Sequence, residues 1–336
     1  MKKYLMPALI ALLPASGMAA PKAEDVVRDT VLPGFVALAE ASHDLATAAQ
    51  GACSQDNGEL KARFGEAFDA WVAVSHLRFG PTETDERAFA LAFWPDSRGA
   101  TPSRLGALIR DRDPVVEDPA AFGSVSIAAR GFYGLEYLLY DGAIATPDTA
   151  DYRCALGRAV AADIARNADA ILEDWQDRYL ALFETAGEND VYRSEEEALQ
   201  ELFKAVTAGL QFTSDTRLGR PLGTYDKPRA ARAEARRSGR SLRHVVISLE
   251  ATRELARALA ADAPDVAAAL GKAYDSALEK AAGLSDDPVF AGVSDPSGRF
   301  RVEILQQKID ELRTVVAGEL GPHLGVEAGF NSLDGD

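Results

Sequence analysis

The stretch GFYGLEYLLYD, residues 131–141, decides how this chain is read. Phe132, Leu135, Leu138 and Leu139 recur at the three- and four-residue spacing of a buried helix face. Glu136 stands among them, and Tyr133 precedes it by three residues, so on a helix the two oxygens share a face. A carboxylate in an apolar helix shifts its pKa or finds a donor, a cation or a metal, because burying it unpaired is expensive. Two readings stand side by side. In one, Glu136 pairs with an arginine across a bundle and Tyr133 merely packs. In the other, both oxygens converge on one ligand.

Working outward, the same periodicity recurs along the chain. ELKARFGEAFDAWVAVSHLRF (59–79) puts Phe64, Phe68, Trp71 and Val74 on one stripe, and residues 24–50 read as a helix with Pro33 early in it. Further helical patterns follow at 150–186, 194–212, 241–260, 265–284 and 302–320, while period-two alternation is rare. Ser194 and Glu197 make a capping-box signature at a helix start. The expectation is an all-α protein of two helical-bundle domains, residues 21–190 and 191–336, divided at the break near 187–193. A faint echo joins GFYGLE (131–136) to GFNSLD (329–334) and LRFGP (77–81) to RLGRP (217–221), with different spacings. If it is more than chance, the bundles are related by a pseudo-twofold with the paired segments near their interface. The stretches 77–86, 93–102, 213–229 and 321–336 read as irregular and rich in Gly, Pro and polar groups. Arg78, Trp94, Arg98 and Arg217 on them, with Arg243, are expected to line a site.

The ends and the charge bound the class. MKKYLMPALIALLPASGMAA (1–20) has Lys2 and Lys3, an apolar run and small residues up to Ala20, the pattern of a secretory signal peptide. No later stretch reaches the ~20 apolar residues of a membrane span, so the mature chain is expected in the periplasm without a transmembrane segment. The formal net charge is −16 over 336 residues, and a surface this acidic repels nucleic acid and favours cations. Cys53 and Cys154 are the two cysteines, and in an exported chain two cysteines usually pair. The loop so closed spans about 100 residues, worth up to ~4.7 kcal/mol in the chain-entropy model.

Several chemistries have no support. The histidines His43, His76, His244 and His323 lie far apart, no HExxH or HxxEH occurs, and G-x-S-x-G, P-loop and dinucleotide fingerprints are missing. His76 closes an apolar helix at a loop and is a candidate ligand, whereas His43 and His244 read as ordinary helix positions. The run KPRAARAEARRSGRSLR (227–243) holds seven bases against one acid, Glu234. It either holds an anion or a partner, or its arginines balance the protein's own carboxylates.

At this point the residues resemble a family. GFYGLEYLL is similar to the G-x-H-x-x-E segment of imelysin-like proteins, which include iron-regulated periplasmic and outer-membrane-associated bacterial proteins. LRFGP, FWPDSRG (93–99), EARRSGRSL (234–242) and LGVEAGFNSLDGD (324–336) resemble other segments of that family, in its order, across the mature chain. The resemblance implies an all-helical fold of two bundles, a site between them and a role in bacterial iron acquisition. The family takes its name from a peptidase activity, although its motif does not look like that of a standard metallopeptidase. Residue by residue, Gly131 matches the motif glycine and Glu136 its glutamate, while Tyr133 occupies the histidine position. A phenolate is a harder donor than imidazole and leans toward ferric iron rather than zinc, and the phenol must first lose a proton of pKa about 10.

The leading expectation is therefore an exported binding protein of an iron-uptake system that takes a metal ion or small ligand. Glu136 and Tyr133 supply oxygens, with His76, Asp215 and Asp96 as further candidates, and iron is favoured over zinc. A membrane protein of iron uptake is the expected partner. The alternatives are a metal-dependent hydrolase or peptidase, for which no metal and general-base pair is apparent, and a non-catalytic scaffold docking through the basic run. Exported protein unfolded without reductant is expected to show no free thiol. Two thiols per chain in that assay would remove the Cys53–Cys154 bridge.

Overall fold

The computed structural model describes residues 21–51, 57–144 and 149–326, the side chain of Ile144 excepted. Residues 1–20, Cys53 and the echo segment 329–334 lie outside them, so the leader, the Cys53–Cys154 bridge and the pseudo-twofold pairing of 131–136 with 329–334 fall outside the described residues. Among the described residues no strand forms, and the one extended pairing is an isolated bridge between Thr224 and Lys227. The protein is all-α, as the periodicity predicts. No described helix is long and apolar enough to cross a membrane.

The helices sort into two packed sets. Leu32–Ala49 packs on Gly58–Val74 and on Ala150–Asp174, and Gly131–Tyr140 packs against the latter two. Glu195–Gln211, Ser241–Leu259, Pro264–Ala282 and Pro296–Val315 form the second set. Gly58–Val74 meets Ser241–Leu259 where the sets join, and one contiguous apolar core runs through both. The break expected near 187–193 is a non-helical stretch between Leu180–Glu184 and Glu195–Gln211. After it, Ser194 caps the helix by accepting from Glu197 N at 3.2 Å. The return half of the capping box is displaced by one residue: Glu197 Oε2 accepts from Arg193 N at 2.8 Å.

Among the described residues four rods are longer than their α-helical parts because π-helical turns join segments. Val27–Val31 links Ala23–Val26 to Leu32–Ala49, and Pro33 sits in the first turn of the latter. Proline cannot bond the carbonyl of Asp29 and its ring crowds it, and the widened turn falls at that place. Phe212–Leu218 likewise continues Glu195–Gln211 into Gly219–Leu222. Residues 213–222, expected to be irregular, are therefore helical, and Arg217 sits on a rigid element.

The predicted stripe builds the seat of the decisive segment. Phe64, Phe68, Trp71 and Val74 are all buried. Phe68 stacks on Phe132 with ring centroids 4.8 Å apart and meets Tyr133 edge-on at 5.2 Å. Each such ring withdrawn from water contributes about 1.5–3 kcal/mol. The helix start is fixed by Arg130, whose guanidinium donates to both oxygens of Asp163 at 2.7 and 3.0 Å. Gly131 follows in the left-handed region at φ 64°, where a Cβ would come 2.2 Å from Leu91 O and 2.3 Å from Ala90 O. Only glycine fits a positive φ with a carbonyl this close. Gly131→Ala is expected to cost about 2–4 kcal/mol, from the left-handed backbone and the overlap together. Urea unfolding checks this, and a midpoint unchanged from wild type would contradict it.

Candidate functional site

Gly131–Tyr140 presents Tyr133 and Glu136 to the segment between Gly223 and Ser241, which closes over them. Glu136 is 2 % exposed. Its Oε1 accepts from Ser238 N at 2.9 Å and from Ser238 Oγ at 2.7 Å. Among the described residues no hydrogen bond reaches Oε2. Burial raises the Glu136 carboxyl above its ordinary value, against the Ser238 bonds and the nearby Arg237 and His244. The arginine reading of Glu136 does not hold as written: its hydrogen-bond partner is a serine on the loop, not an arginine across the bundle.

Tyr133 donates elsewhere. Its hydroxyl gives a 2.5 Å hydrogen bond to Glu234 Oε1. Arg217 Nε donates to Glu234 Oε2 at 2.7 Å, and His244 Nδ1 lies 3.3 Å from the same oxygen. Ser241 Oγ donates to the Glu234 carbonyl. Glu234 is 3 % exposed and Arg217 4 %, so this is a buried ion pair with two further polar neighbours. Burial works against the Glu234 charge, but Arg217 first, then His244 and Tyr133, outweigh it and hold the carboxyl at about 2. Burial foremost, then the adjacent Glu234 charge and their hydrogen bond, pushes the Tyr133 phenol well above its ordinary value. Aromatic rings pack around these groups: Trp94 stacks on Tyr133 at 6.2 Å, Phe212 meets Trp94 edge-on at 5.9 Å, and Phe68 meets His244 edge-on at 4.5 Å.

The remaining predicted residues scatter. Asp96 accepts from Ala100 N at 2.9 Å and Thr101 N at 2.8 Å, fastening the start of Ala100–Asp111. Its carboxyl is held below the ordinary value: burial opposes the charge, and those backbone N–H groups outweigh it. Asp215 is exposed and faces Arg313 at 3.6 Å. Arg78 pairs with Glu83, and Arg243 pairs with Asp69 at 2.5 Å, both on the surface. Arg98 is exposed. His76 sits beside Ser75, whose Oγ lies 3.4 Å from Arg217 Nη2. Burial first, and then the Arg217 charge, lower His76 to about 4, so it is neutral at neutral pH. The structure therefore brings together Tyr133, Glu136, Trp94 and Arg217, and adds Glu234, Ser238 and His244. Glu234 and Ser238 were visible only as the lone acid and a serine of EARRSGRSL. His244 gave no signal, since a helical histidine on an apolar face reads as packing.

In this arrangement the donor set does not fit a metal ion. Tyr133 holds its proton for Glu234, Glu234 is neutralised by Arg217, and Glu136 Oε1 is occupied by Ser238. Among the described residues no three His, Cys, Asp or Glu side chains are arranged as metal ligands.

Two stability predictions follow from this geometry. Arg217→Met strands a buried carboxylate and is expected to cost about 3–5 kcal/mol at neutral pH. In wild type the Glu234 contribution is fully present above its unfolded value of 4.5 and is lost as pH falls toward about 2, and this acid limb should vanish in the variant. Glu136 has the opposite sign: its raised folded value means stability declines as pH rises above 4.5. Glu136→Gln should be at least as stable as wild type at pH 7. Urea midpoints between pH 2 and 8 decide both. A loss under about 1 kcal/mol for Arg217→Met would show the pair is not the buried tie described here.

The chain was compared with known families and structures. The family model for imelysin (peptidase M75) matches residues 31–316. A crystal structure of an imelysin-like protein from Psychrobacter arcticum 273-4 superposes with a TM-score of 0.76 at 20% identity, covering 93% of this chain and 100% of that one. A candidate iron-regulated protein A precursor from Parabacteroides distasonis ATCC 8503 superposes with a TM-score of 0.73 at 13% identity, covering 92% and 97%. At these identities the two structures show the shared fold. No curated protein sequence matches. With the family model spanning most of its length and the motif glycine and glutamate in place at Gly131 and Glu136, this chain belongs to the imelysin family.

Proposed function

We propose that the chain is an exported, periplasmic imelysin-type binding protein of a bacterial iron-acquisition system, with its ligand pocket at Glu136 between two related helical bundles. The observation that carries the reading is Glu136 itself. It is a carboxylate at the family motif position, almost fully buried, with one oxygen that no described residue bonds. The name of the Parabacteroides relative, which calls that protein iron-regulated, supports the setting. Hydrolysis has less support. The charged carboxylate nearest the motif, Glu234, is held by Arg217 and by a tyrosine that donates to it, which leaves it poorly placed as a general base. The scaffold reading keeps only part of its surface, since Arg237, Arg240 and Arg243 of the basic run pair with Asp141 and Asp69.

A cation entering this pocket finds one ready oxygen and gains others only by breaking the Tyr133–Glu234 or Ser238–Glu136 bonds. That favours iron presented with its own chelator over a bare ion held tightly, and it disfavours tetrahedral zinc. The test titrates wild type, Glu136→Gln, Tyr133→Phe and Tyr133→His with ferric citrate, anaerobic ferrous iron and zinc. Glu136→Gln should weaken ferric citrate binding about tenfold, the loss of one charged contact. Tyr133→His should move preference toward zinc and ferrous iron. Identical binding by all four proteins, or none by any, would leave the motif purely structural in this chain.

A further inference from the structure

A second feature of the molecule is untouched by that reading. A groove of about 780 Å³ lies where the two helix sets meet, on the side of His76. Its walls are the π turn at Val27–Val31 with Pro33 and Gly34, the end of Gly58–Val74 with His76 and Leu77, and residues 251–261 with Ala267. The volume falls within the range of small-molecule sites, roughly 300–1,000 Å³. Gly34 lines it and lets its helix approach Val74 closely, since a Cβ there would lie 2.7 Å from Val74 Cγ1.

The lining has a definite chemical pattern. Val31, Pro33, Val74, Leu77, Leu255 and a run of alanines give apolar walls. Asp29 and Glu254 bring two acids to the rim and Arg257 one base, all exposed. Among the described residues none of these three side chains makes a hydrogen bond or an ion pair, although Glu254 and Arg257 lie one turn apart. His76 adds a neutral, buried imidazole to the inner wall. The π turn at Val27–Val31 is a further mark, since such turns recur at functional sites.

We propose that this groove binds a small zwitterion with an apolar body, an apolar amino acid or short peptide. Its ammonium sits at Asp29 and Glu254, its carboxylate at Arg257, and its apolar body lies along the alanine and leucine walls. A simple anion is repelled by the two acids, and a simple cation leaves Arg257 unmatched. The site does not depend on the reading of Glu136, and its test contains no metal.

The probe is trileucine, compared by titration calorimetry with N-acetyl-trileucine, which lacks the ammonium, and trileucine amide, which lacks the carboxylate. Wild type should bind trileucine and bind each blocked peptide about tenfold more weakly. Glu254→Gln should shrink the penalty of acetylation, and Arg257→Gln should bind the acid and the amide alike. Both positions are exposed, so these variants keep the fold. Ala258→Leu, which fills the groove, should weaken all three peptides. The proposal is overturned if wild type shows no heat with millimolar trileucine, or if either rim variant leaves its discrimination unchanged.

Discussion

A carboxylate taken almost wholly out of water, Glu234, sets where four separate parts of this chain meet. A full charge in the interior is tolerated only with a countercharge and donors around it. Arg217 supplies the charge from the π turn Phe212–Leu218, Tyr133 donates from Gly131–Tyr140, and His244 approaches from Ser241–Leu259. These elements are far apart in sequence and come from both helix sets. The apolar core sets the distance between the sets, but apolar surface has no preferred register. The ion pair has one, because Arg217 must reach Glu234 while its other nitrogens find Thr213 and Ser75, at 3.4 Å each.

The same logic explains a basic run in an acidic protein. Arg237 donates to Asp141 at 2.7 Å and lies over the Tyr137 ring, Arg240 donates to Gly65 O at 2.9 Å and pairs with Asp69, and Arg243 pairs with Asp69. The segment carrying Glu234 and Ser238 has no regular structure except the turn Ala230–Arg232. These ties add to the bonds that Glu234 and Ser238 make. Exposed pairs such as Arg243–Asp69 contribute little each, about 0.2–1 kcal/mol, but here several act on one short segment. Their effect is positional: they hold Ser238 over Glu136.

Much of this was legible in the sequence, and the part that was not has a physical reason. The helical class, the Phe64–Phe68–Trp71–Val74 stripe, the break after Glu184 and the burial of Glu136 all follow from periodicity, which is local. The partners of Glu136 and Tyr133 are about a hundred residues away in sequence, and no spacing rule reaches that far. Residues 213–222 were misread as loop because Ser, Asp, Thr, Gly and Pro are poor helix formers. Their helix is held instead by tertiary contacts, including Ser214 to Asp310 at 2.7 Å and Gln306 to Ser214 O at 3.0 Å. Asp96 and Asp215 were picked for composition alone. Whether an acid in a loop caps a helix, faces solvent or joins a site depends on backbone direction, which composition does not carry.

Tyr133 in place of the motif histidine looks at first like a change of ligand, but the geometry ties it to Glu234. A phenol donates one proton and, kept neutral, cannot compete with Arg217 for charge, so it suits Glu234 Oε1 while Arg217 takes Oε2. An imidazole there would offer a nitrogen to a cation, and a cation would meet Arg217 across the same carboxylate. Tyrosine at 133 and the Arg217–Glu234 pair thus form a consistent set, in which the charge a metal would bring to this pocket is already supplied by the guanidinium. Glu136, one turn from Tyr133 and bonded to Ser238 instead, is the motif acid left outside the set. The far side of Arg217 reaches Ser75 beside His76. The guanidinium that neutralises Glu234 thus also lowers the proton affinity of the His76 imidazole.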